Sequence, residues 1–520
     1  MGQPCYSIFN DVLGPIMTGP SSSHSAGCAR IGRTAQLLWG RPVRRAGVVF
    51  EAQGSYPATF IGQGAQYGFI GGLLGMPPDH PRLRDAVALA REQGADIQFR
   101  KADLGFLHPN QARIDLYGEG GQVELSLMTY STGGGTFVID RLNGFPVRLD
   151  GGTLQAFLGC GPEAREPVAQ RLDQAGIPHT VQEAQGQVLF TLRPARAEAL
   201  DGLGKAPGVA FLRVAPPVLP VPRRPEGEPL FFRAADALEY HRRTGADQWE
   251  LALAYEQSVG FCSRQELTAL AQRTLEVMRA AIQPLDPAQA PVYGFLPYRA
   301  REMSLRQTRL ADTGMLHRAM LAAISAMEHN SAHDIVAAAP TAGSSGVLPS
   351  ALVCMGIQMG CSDEELRKGL LAAGLTGAFI INQATFGGEV GACQAENGSA
   401  SAMAAAGLVQ LLGGTVEQGF QAAGLALQNL LGLVCDPVAG LTDIPCINRN
   451  VVSMGNAVLS ANMVLLGFDP VIPLDETIQA MLDVGRMLPP QLRCTCQGGL
   501  CATPTGDRIG RRMEEQRPRL

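Results

Sequence analysis

Residues 215–229 read APPVLPVPRRPEGEP. Proline recurs along the stretch and charge gathers at its end, so it suits neither a sheet ladder nor a helix interior and reads as a semi-rigid linker. Upstream of it, strand-like runs alternate with helical stretches. Downstream the pattern is helical throughout. The sequence therefore predicts a multidomain chain: an α/β (α+β) domain over 1–150, a ferredoxin-like βαββαβ module over 151–216, a linker over 217–232, and an all-α domain over 233–520.

In the first part, RRAGVVFEAQG, QARIDLYG, QVELSLMTYS and GGTFVIDRL have the composition of strands, and DHPRLRDAVALAREQG reads as a helix. The module follows as a strand TLQAFLG, a helix PEAREPVAQRLDQAG, strands HTVQEAQG and QVLFTLR, a helix ARAEALDGLGKA and a last strand VAFLRVAP. Beyond the linker, helices are expected at SRQELTALAQRTLEVMRAAI, DTGMLHRAMLAAISAMEHN, SDEELRKGLLAAGL, VEQGFQAAGLALQNLLGL and DETIQAMLDVGRML. Several begin at Ser, Asp or Thr with acidic residues in the first turn, which caps the unpaired N–H groups there. The charge-free run 369–388 approaches the length of a membrane span, but its Gly, Thr, Asn and Gln content suits a helix at the centre of a helical domain. No membrane association is expected.

The chain has 520 residues, 46% of them hydrophobic, and a mean hydropathy near zero, which supports ordinary packed cores. The net charge of −5 is small and the 42 Lys and Arg residues are scattered, so no nucleic-acid partner is expected. MGQPCYSIFNDVLGPIMTGP lacks a basic segment followed by an apolar one, so the protein is expected to be cytoplasmic. In that compartment twelve cysteines are not a disulfide framework. Cys5, Cys28, Cys160, Cys262, Cys354 and Cys361 read as buried small hydrophobes.

Cys393, Cys435 and Cys446 stand apart. Each falls at a Gly- or Pro-marked break beside a helix, in GGEVGACQAENGSASAMAAAG or LGLVCDPVAGLTDIPCINRN. Three such thiols suit zinc or an iron–sulfur cluster, although buried packing also accounts for them. Structural zinc favours compact cysteine pairs, which this trio lacks, whereas a 4Fe–4S cluster on three cysteines keeps one iron open as a Lewis acid. Two loops add to this. GPSSSHSAG places Ser21, Ser22, Ser23 and Ser25 around His24, a donor-rich turn suited to an anion such as a carboxylate. APTAGSSGVLPS at 339–350 is a second small-residue loop, and HPN sets His108 and Asn110 around a proline.

Together these motifs resemble the iron–sulfur-dependent L-serine dehydratases, which form pyruvate and ammonia without pyridoxal phosphate. GPSSSHSAGCARIGRTAQ and HPN are similar to the family's β region. IVAAAPTAGSSGVLPS, CQAENGSASAMAAA, LLGLVCDPVAGLTDIPCINRN and GGLCATPTG are similar to its α region. The resemblance covers nearly the whole chain and implies a β–α fusion with an ACT-like module between. It implies a 4Fe–4S cofactor on Cys393, Cys435 and Cys446, His24 and His108 as base and positioning group, and Ser21, Ser22, Ser23, Ser25, Asn110, Thr341, Gly343 and Ser344 around a small amino-acid substrate. A homodimer, and an active site between the β region and the helical domain, are expected on the same ground.

Two departures stand out. GSYPATFIGQGAQYG carries Gln63 where the family has a GHG-type histidine, and glutamine cannot titrate. LRCTCQGGLCATPTG carries Cys494, Cys496 and Cys501, one of which is a candidate fourth or capping ligand. Alternatives are the same cluster chemistry on L-threonine or L-cysteine, and a non-catalytic amino-acid-binding regulator. A pyridoxal-phosphate enzyme would need a lysine in a shaped pocket, and Lys101, Lys205 and Lys368 all lie in polar surroundings.

Overall fold

A computed structural model describes residues 6–224, 227–286 and 295–515. Cys5 lies outside them. The chain divides into a helical unit, residues 1–22, 61–64 and 226–519, and an α/β unit, residues 23–60 and 65–225. The expected first domain is thus interrupted twice: its opening residues and a four-residue insert belong with the helices.

The α/β unit contains a six-stranded sheet in the spatial order Asp96–Ala102, Arg45–Glu51, Gln111–Tyr117, Val123–Gly133, Thr136–Leu142 and Phe145–Leu149. The first pair is parallel and the others antiparallel. Val48, Phe50, Ile114, Leu116, Leu125 and Leu127 are buried; the strand Arg45–Glu51 is buried from Ala46 onward, whereas Val123–Gly133 alternates as a strand with one packed face does. The helix Gly27–Trp39 follows the serine-rich loop and packs on the helix Ala65–Leu73.

The module forms a second sheet of four antiparallel strands, Gln155–Cys160, His179–Ala184, Gln187–Leu192 and Val209–Ala215, in the spatial order fourth, first, third, second. The helix Arg165–Gln174 sets Val168 and Leu172 into a core with Leu158, Val188 and Phe190. The expected second helix does not form. ARAEALDGLGKA makes two 3₁₀ turns, Ala197–Leu200 and Leu203–Lys205, because Gly202 at φ +77° breaks the segment into pieces shorter than a cooperative helix needs. The proline-rich stretch is also no bare spacer. Val218 and Arg223 donate backbone N–H bonds to Gly151 and Gly152, Val221 is fully buried, and Arg223 pairs with Asp150 at 3.0 Å.

In the helical unit the five expected helices occur at Arg264–Ala281, Met315–Ser331, Asp363–Gln383, Val416–Gln428 and Leu474–Met487. Ser263, Ser362 and Thr415 cap three of them, each side-chain oxygen accepting from the backbone N–H three residues on. The charge-free stretches are explained by close approach. A Cβ on Gly369 would lie 3.0 Å from the Gly407 carbonyl, and one on Gly407 2.7 Å from the Gly369 carbonyl, so the helices Asp363–Gln383 and Ser399–Leu411 meet backbone to backbone. Among the described residues no single helix is long and apolar enough to cross a membrane.

The chain's opening segment is built into this unit. The strand Ile16–Thr18 pairs antiparallel with Ile335–Ala337, and Ile8, Val12 and Leu13 are buried, with Ile8 and Leu13 against Gly374 and Val12 against Gly377. Glu256, fully buried, accepts from Ser7 Oγ and, at 2.6 Å, from the Ile8 N–H. Burial pushes its carboxyl up to about 7. The folded value exceeds the unfolded 4.5, so this group's contribution to stability is full below about pH 4.5 and lost as pH rises through about 7. Glu256→Gln is therefore expected to flatten the stability profile between those pH values in urea titrations. An unchanged slope would contradict the assignment.

Candidate active site

The three cysteines singled out in the sequence are positioned by three kinds of chain break. Cys393 ends the helix Gly388–Cys393 just after Ala392, whose φ of 60° turns the chain. Cys435 lies in extended chain, its N–H donating to the Leu492 carbonyl at 2.8 Å. Cys446 opens the long helix Cys446–Leu465, where the positive end of the helix dipole favours a thiolate. All three are buried. The Sγ atoms of Cys393 and Cys435 and a carboxylate oxygen of Glu396 lie within 4.8 Å of one another.

This crowding has an electrostatic consequence. The Cys435 thiol is pushed well up by hydrogen bonds with Cys393 and Cys494 and then by burial. The Cys446 thiol is pushed up by burial, then by the charges of Cys393 and Glu396. The Glu396 carboxyl rises to about 7, chiefly through burial. So many acids cannot all ionise together without a cation among them, and a buried, thiol-dominated donor set of this kind fits zinc or an iron–sulfur centre.

One cation of the chain serves the set. Arg449, one turn into the Cys446 helix, donates to Cys393 Sγ at 3.3 Å and the Val434 carbonyl at 2.7 Å, and pairs with the buried Asp436 at 2.8 Å. Asn450 beside it donates to the carbonyls of Gly343 and Cys446, both at 2.8 Å, and accepts from the Gly346 N–H at 2.9 Å. It thereby ties the small-residue loop at 341–346 to the cysteine helix. In that loop Thr341 Oγ1 donates to Glu396 at 2.8 Å and lies 3.1 Å from Ser344 Oγ. Thr341, Gly343 and Ser344 are thus gathered against the residues that follow Cys393. Gln63 also belongs to this unit, its Nε2 donating to the Gly440 carbonyl at 3.1 Å, on the loop between Cys435 and Cys446.

The tail cysteines separate into two sets. An isolated parallel bridge joins Cys435 to Arg493, and the Cys494 N–H donates to the Cys435 carbonyl at 2.8 Å, which brings Cys494 against Cys435. Cys496 and Cys501, both free thiols, instead share a hydrogen bond and both donate toward the Pro437 carbonyl, at 3.4 and 2.6 Å. Of the cysteines read as core fillers, Cys28 and Cys160 are buried, whereas Cys262, Cys354 and Cys361 are only half-buried. Their helix and loop ends leave one side open to solvent.

The serine-rich loop spans the division of the chain. Ser21, half-buried, and Ser22, buried, belong to the helical unit; Ser23, His24 and Ser25 belong to the α/β unit. His24 is buried, with Nδ1 2.8 Å from Ser23 Oγ and Nε2 3.2 Å from Ser55 Oγ. Ser55 Oγ in turn donates to Asn110 Oδ1, and the Asn110 N–H donates to His108 Nδ1 at 3.0 Å. His24, Ser55, Asn110 and His108 therefore form one hydrogen-bonded chain. His108 is half-buried and stacks on Tyr130 with ring centroids 5.0 Å apart.

Burial pushes the His24 imidazole down to about 4. It is then neutral at physiological pH and able to accept a proton. Ring resonances of His24 are expected to hold steady between pH 8 and 5.5 in an NMR titration, and a midpoint near 6.5 would contradict the buried environment. Lys368 is held by Glu364 at 2.8 Å and lies over Trp249, and Lys101 and Lys205 are exposed.

Sequence reasoning missed Glu396, Arg449, Asn450, Asp436 and Ser55. Four of the five lie inside the quoted motifs, within four residues of a candidate cysteine, and that proximity was the available signal.

Residues 232–501, more than half of the chain, match the family described as serine dehydratase alpha chain. L-serine dehydratase of Streptomyces coelicolor is 29% identical over 508 residues, 95% of this chain and 98% of that protein. The probable L-serine dehydratase alpha chain of Bacillus subtilis is 37% identical over 266 residues, 51% of this chain and 89% of its own length. The probable beta chain from the same organism is 46% identical over 145 residues, 28% of this chain and 64% of its own length. The chain thus belongs to the serine dehydratase family and carries beta-type and alpha-type sequence in one polypeptide.

Proposed function

We propose that this protein is an L-serine dehydratase, an ammonia-lyase that converts L-serine to pyruvate and ammonia. The observation that carries the reading is the convergence of Cys393, Cys435 and Glu396 within 4.8 Å, in a chain alignable over 95% of its length with an L-serine dehydratase. Cys393, Cys435 and Cys446 would hold a 4Fe–4S cluster. Such a cluster, with three thiolate ligands, supplies an open iron whose Lewis acidity favours loss of the β-hydroxyl.

The chain's residues have separate tasks. Arg449 orients the Cys393 thiolate. His24, kept neutral by burial and linked through Ser55 to Asn110, takes the Cα proton, while His108 fixes Asn110. Loss of the proton and the β-hydroxyl leaves an aminoacrylate, which becomes an imine and is hydrolysed to pyruvate and ammonia. Ser21, Ser22, Ser23 and Ser25 supply donors to the substrate carboxylate, and Thr341, Gly343 and Ser344 line the approach to Glu396. Cys494, rather than Cys496 or Cys501, is the capping ligand, a role supported by its contact with Cys435.

The four-stranded unit with strand order fourth, first, third, second is read as an ACT-like module. We also place the enzyme in the cytoplasm as a homodimer. Pairing is supported by the apolar stripe Val452, Leu459, Met463 and Leu466 on the Cys446 helix, all exposed, Leu466 at 89%. Leu459→Glu with Leu466→Glu is expected to halve the mass in sedimentation, and an unchanged mass would overturn this interface.

The test of function is pyruvate release from L-serine by protein purified without oxygen, followed through timed exposure to air. Activity that fades with the cluster's absorbance is the expected result. Absorbance without turnover of L-serine would favour a second reading, the same chemistry on L-threonine or L-cysteine, for which Gln63, donating to Gly440 on the loop between two cysteines, gives specific ground.

A further inference from the structure

Glu396 is a half-buried carboxylate with, among the described residues, one hydrogen-bond donor, Thr341 Oγ1 at 2.8 Å. No ion pair to it occurs among the described residues. The nearest cationic side chain that acts on it, Arg449, is committed to Asp436, Val434 and Cys393. A partly desolvated carboxylate with one donor and open space beside it gains from a cationic hydrogen-bonding partner. The approach to it is kept clear by two glycines. A Cβ on Gly343 would stand 3.2 Å from one carboxylate oxygen and a Cβ on Gly388 3.0 Å from the other. The carboxylate also lies within 4.8 Å of two of the cysteines at which the reaction is placed.

An α-amino acid brings the missing cation. We propose that Glu396 is the anchor for the substrate's α-ammonium group: it pairs with that group once the amino acid enters, and so selects amino acids over the corresponding hydroxy acids. Thr341 orients the carboxylate, and the glycines at 343 and 388 leave room for the ligand. This rests on the serine dehydratase reading and adds to it the residue that recognises the amino group.

The test uses holoenzyme purified without oxygen and two probes that cannot lose a β-hydroxyl. L-alanine carries the ammonium group, whereas L-lactate has a hydroxyl in its place. Calorimetry is run on wild type, Glu396→Gln and Glu396→Asp, beside iron content and L-serine kinetics. In Glu396→Gln, L-alanine affinity is expected to fall on the order of 30-fold, with L-lactate affinity equal or higher. The KM for L-serine should rise in parallel, iron content should stay at the wild-type level, and Glu396→Asp should recover part of the loss.

Three results would overturn the proposal. They are unchanged L-alanine binding, equal loss of both probes, or iron lost from Glu396→Gln, which would make Glu396 a ligand of the metal centre. Wild-type protein that binds L-alanine through Glu396 yet makes no pyruvate would instead count against the dehydratase reading alone.

Discussion

Replacing Arg449 with methionine is expected to strip the protein of most of the cluster proposed for it and of its activity together. The substitution keeps length and apolar stem but removes three partners at once: Cys393 Sγ, the Val434 carbonyl and the carboxylate of Asp436. Asp436 is 3% exposed and, among the described residues, its other oxygen accepts the Leu500 N–H alone, so its charge would stay buried and unpaired. Breaking a buried pair from one side costs about 3–5 kcal/mol, and loss of a group that orients a metal ligand costs ~10- to 100-fold in metal affinity. Iron and sulfide content per chain should fall with specific activity. Arg449→Lys should recover little, because an ammonium cannot span a thiolate, a carbonyl and a carboxylate in one plane. Wild-type iron content in Arg449→Met would refute the role assigned to the guanidinium.

Asn450→Leu is expected to be the most destabilising single change in the helical unit's polar core. Asn450 is fully buried and joins Gly343, Gly346 and the first turn of the cysteine helix. Leucine matches it roughly in volume but leaves the Gly346 N–H and the Gly343 carbonyl without partners in a dry site. A loss of roughly 3–5 kcal/mol follows from the penalties for unmade buried bonds. The apparent Tm should fall, and because Thr341 shares this loop, the KM for L-serine should rise even in the fraction that folds. Asn450→Asp retains the acceptor for Gly346 but not the donors, and should fall between the two. A Tm within a degree or so of wild type for Asn450→Leu would contradict the account.

The parts of this architecture that were legible in the sequence are those with local causes. Capping serines and threonines announced the helices at 263, 362 and 415, and strand-like composition announced the strands at 45–51 and 111–117. What escaped has nonlocal causes. The helix expected at 195–206 was lost to one glycine whose left-handed conformation depends on the turn it serves. The strand Ile16–Thr18 has three residues and exists because of a partner more than three hundred residues away. Within the site, cysteines were conspicuous because their chemistry is rare. Glu396 and Arg449 are common residue types, and only folding reveals that one is a half-buried carboxylate set beside two cysteines and the other a cation shared among three partners.

The placement of the opening segment in the helical unit sets an order of events during synthesis. Ile8, Phe9, Val12 and Leu13 leave the ribosome well before their partners: the carboxylate that receives the Ile8 N–H is at residue 256 and the strand that pairs with Ile16–Thr18 is at 335–337. At elongation rates of about 5–20 residues per second their partners follow roughly 15–60 s later. These apolar residues thus wait for partners made hundreds of residues later, and the nascent chain carries them uncovered through the synthesis of the whole α/β unit.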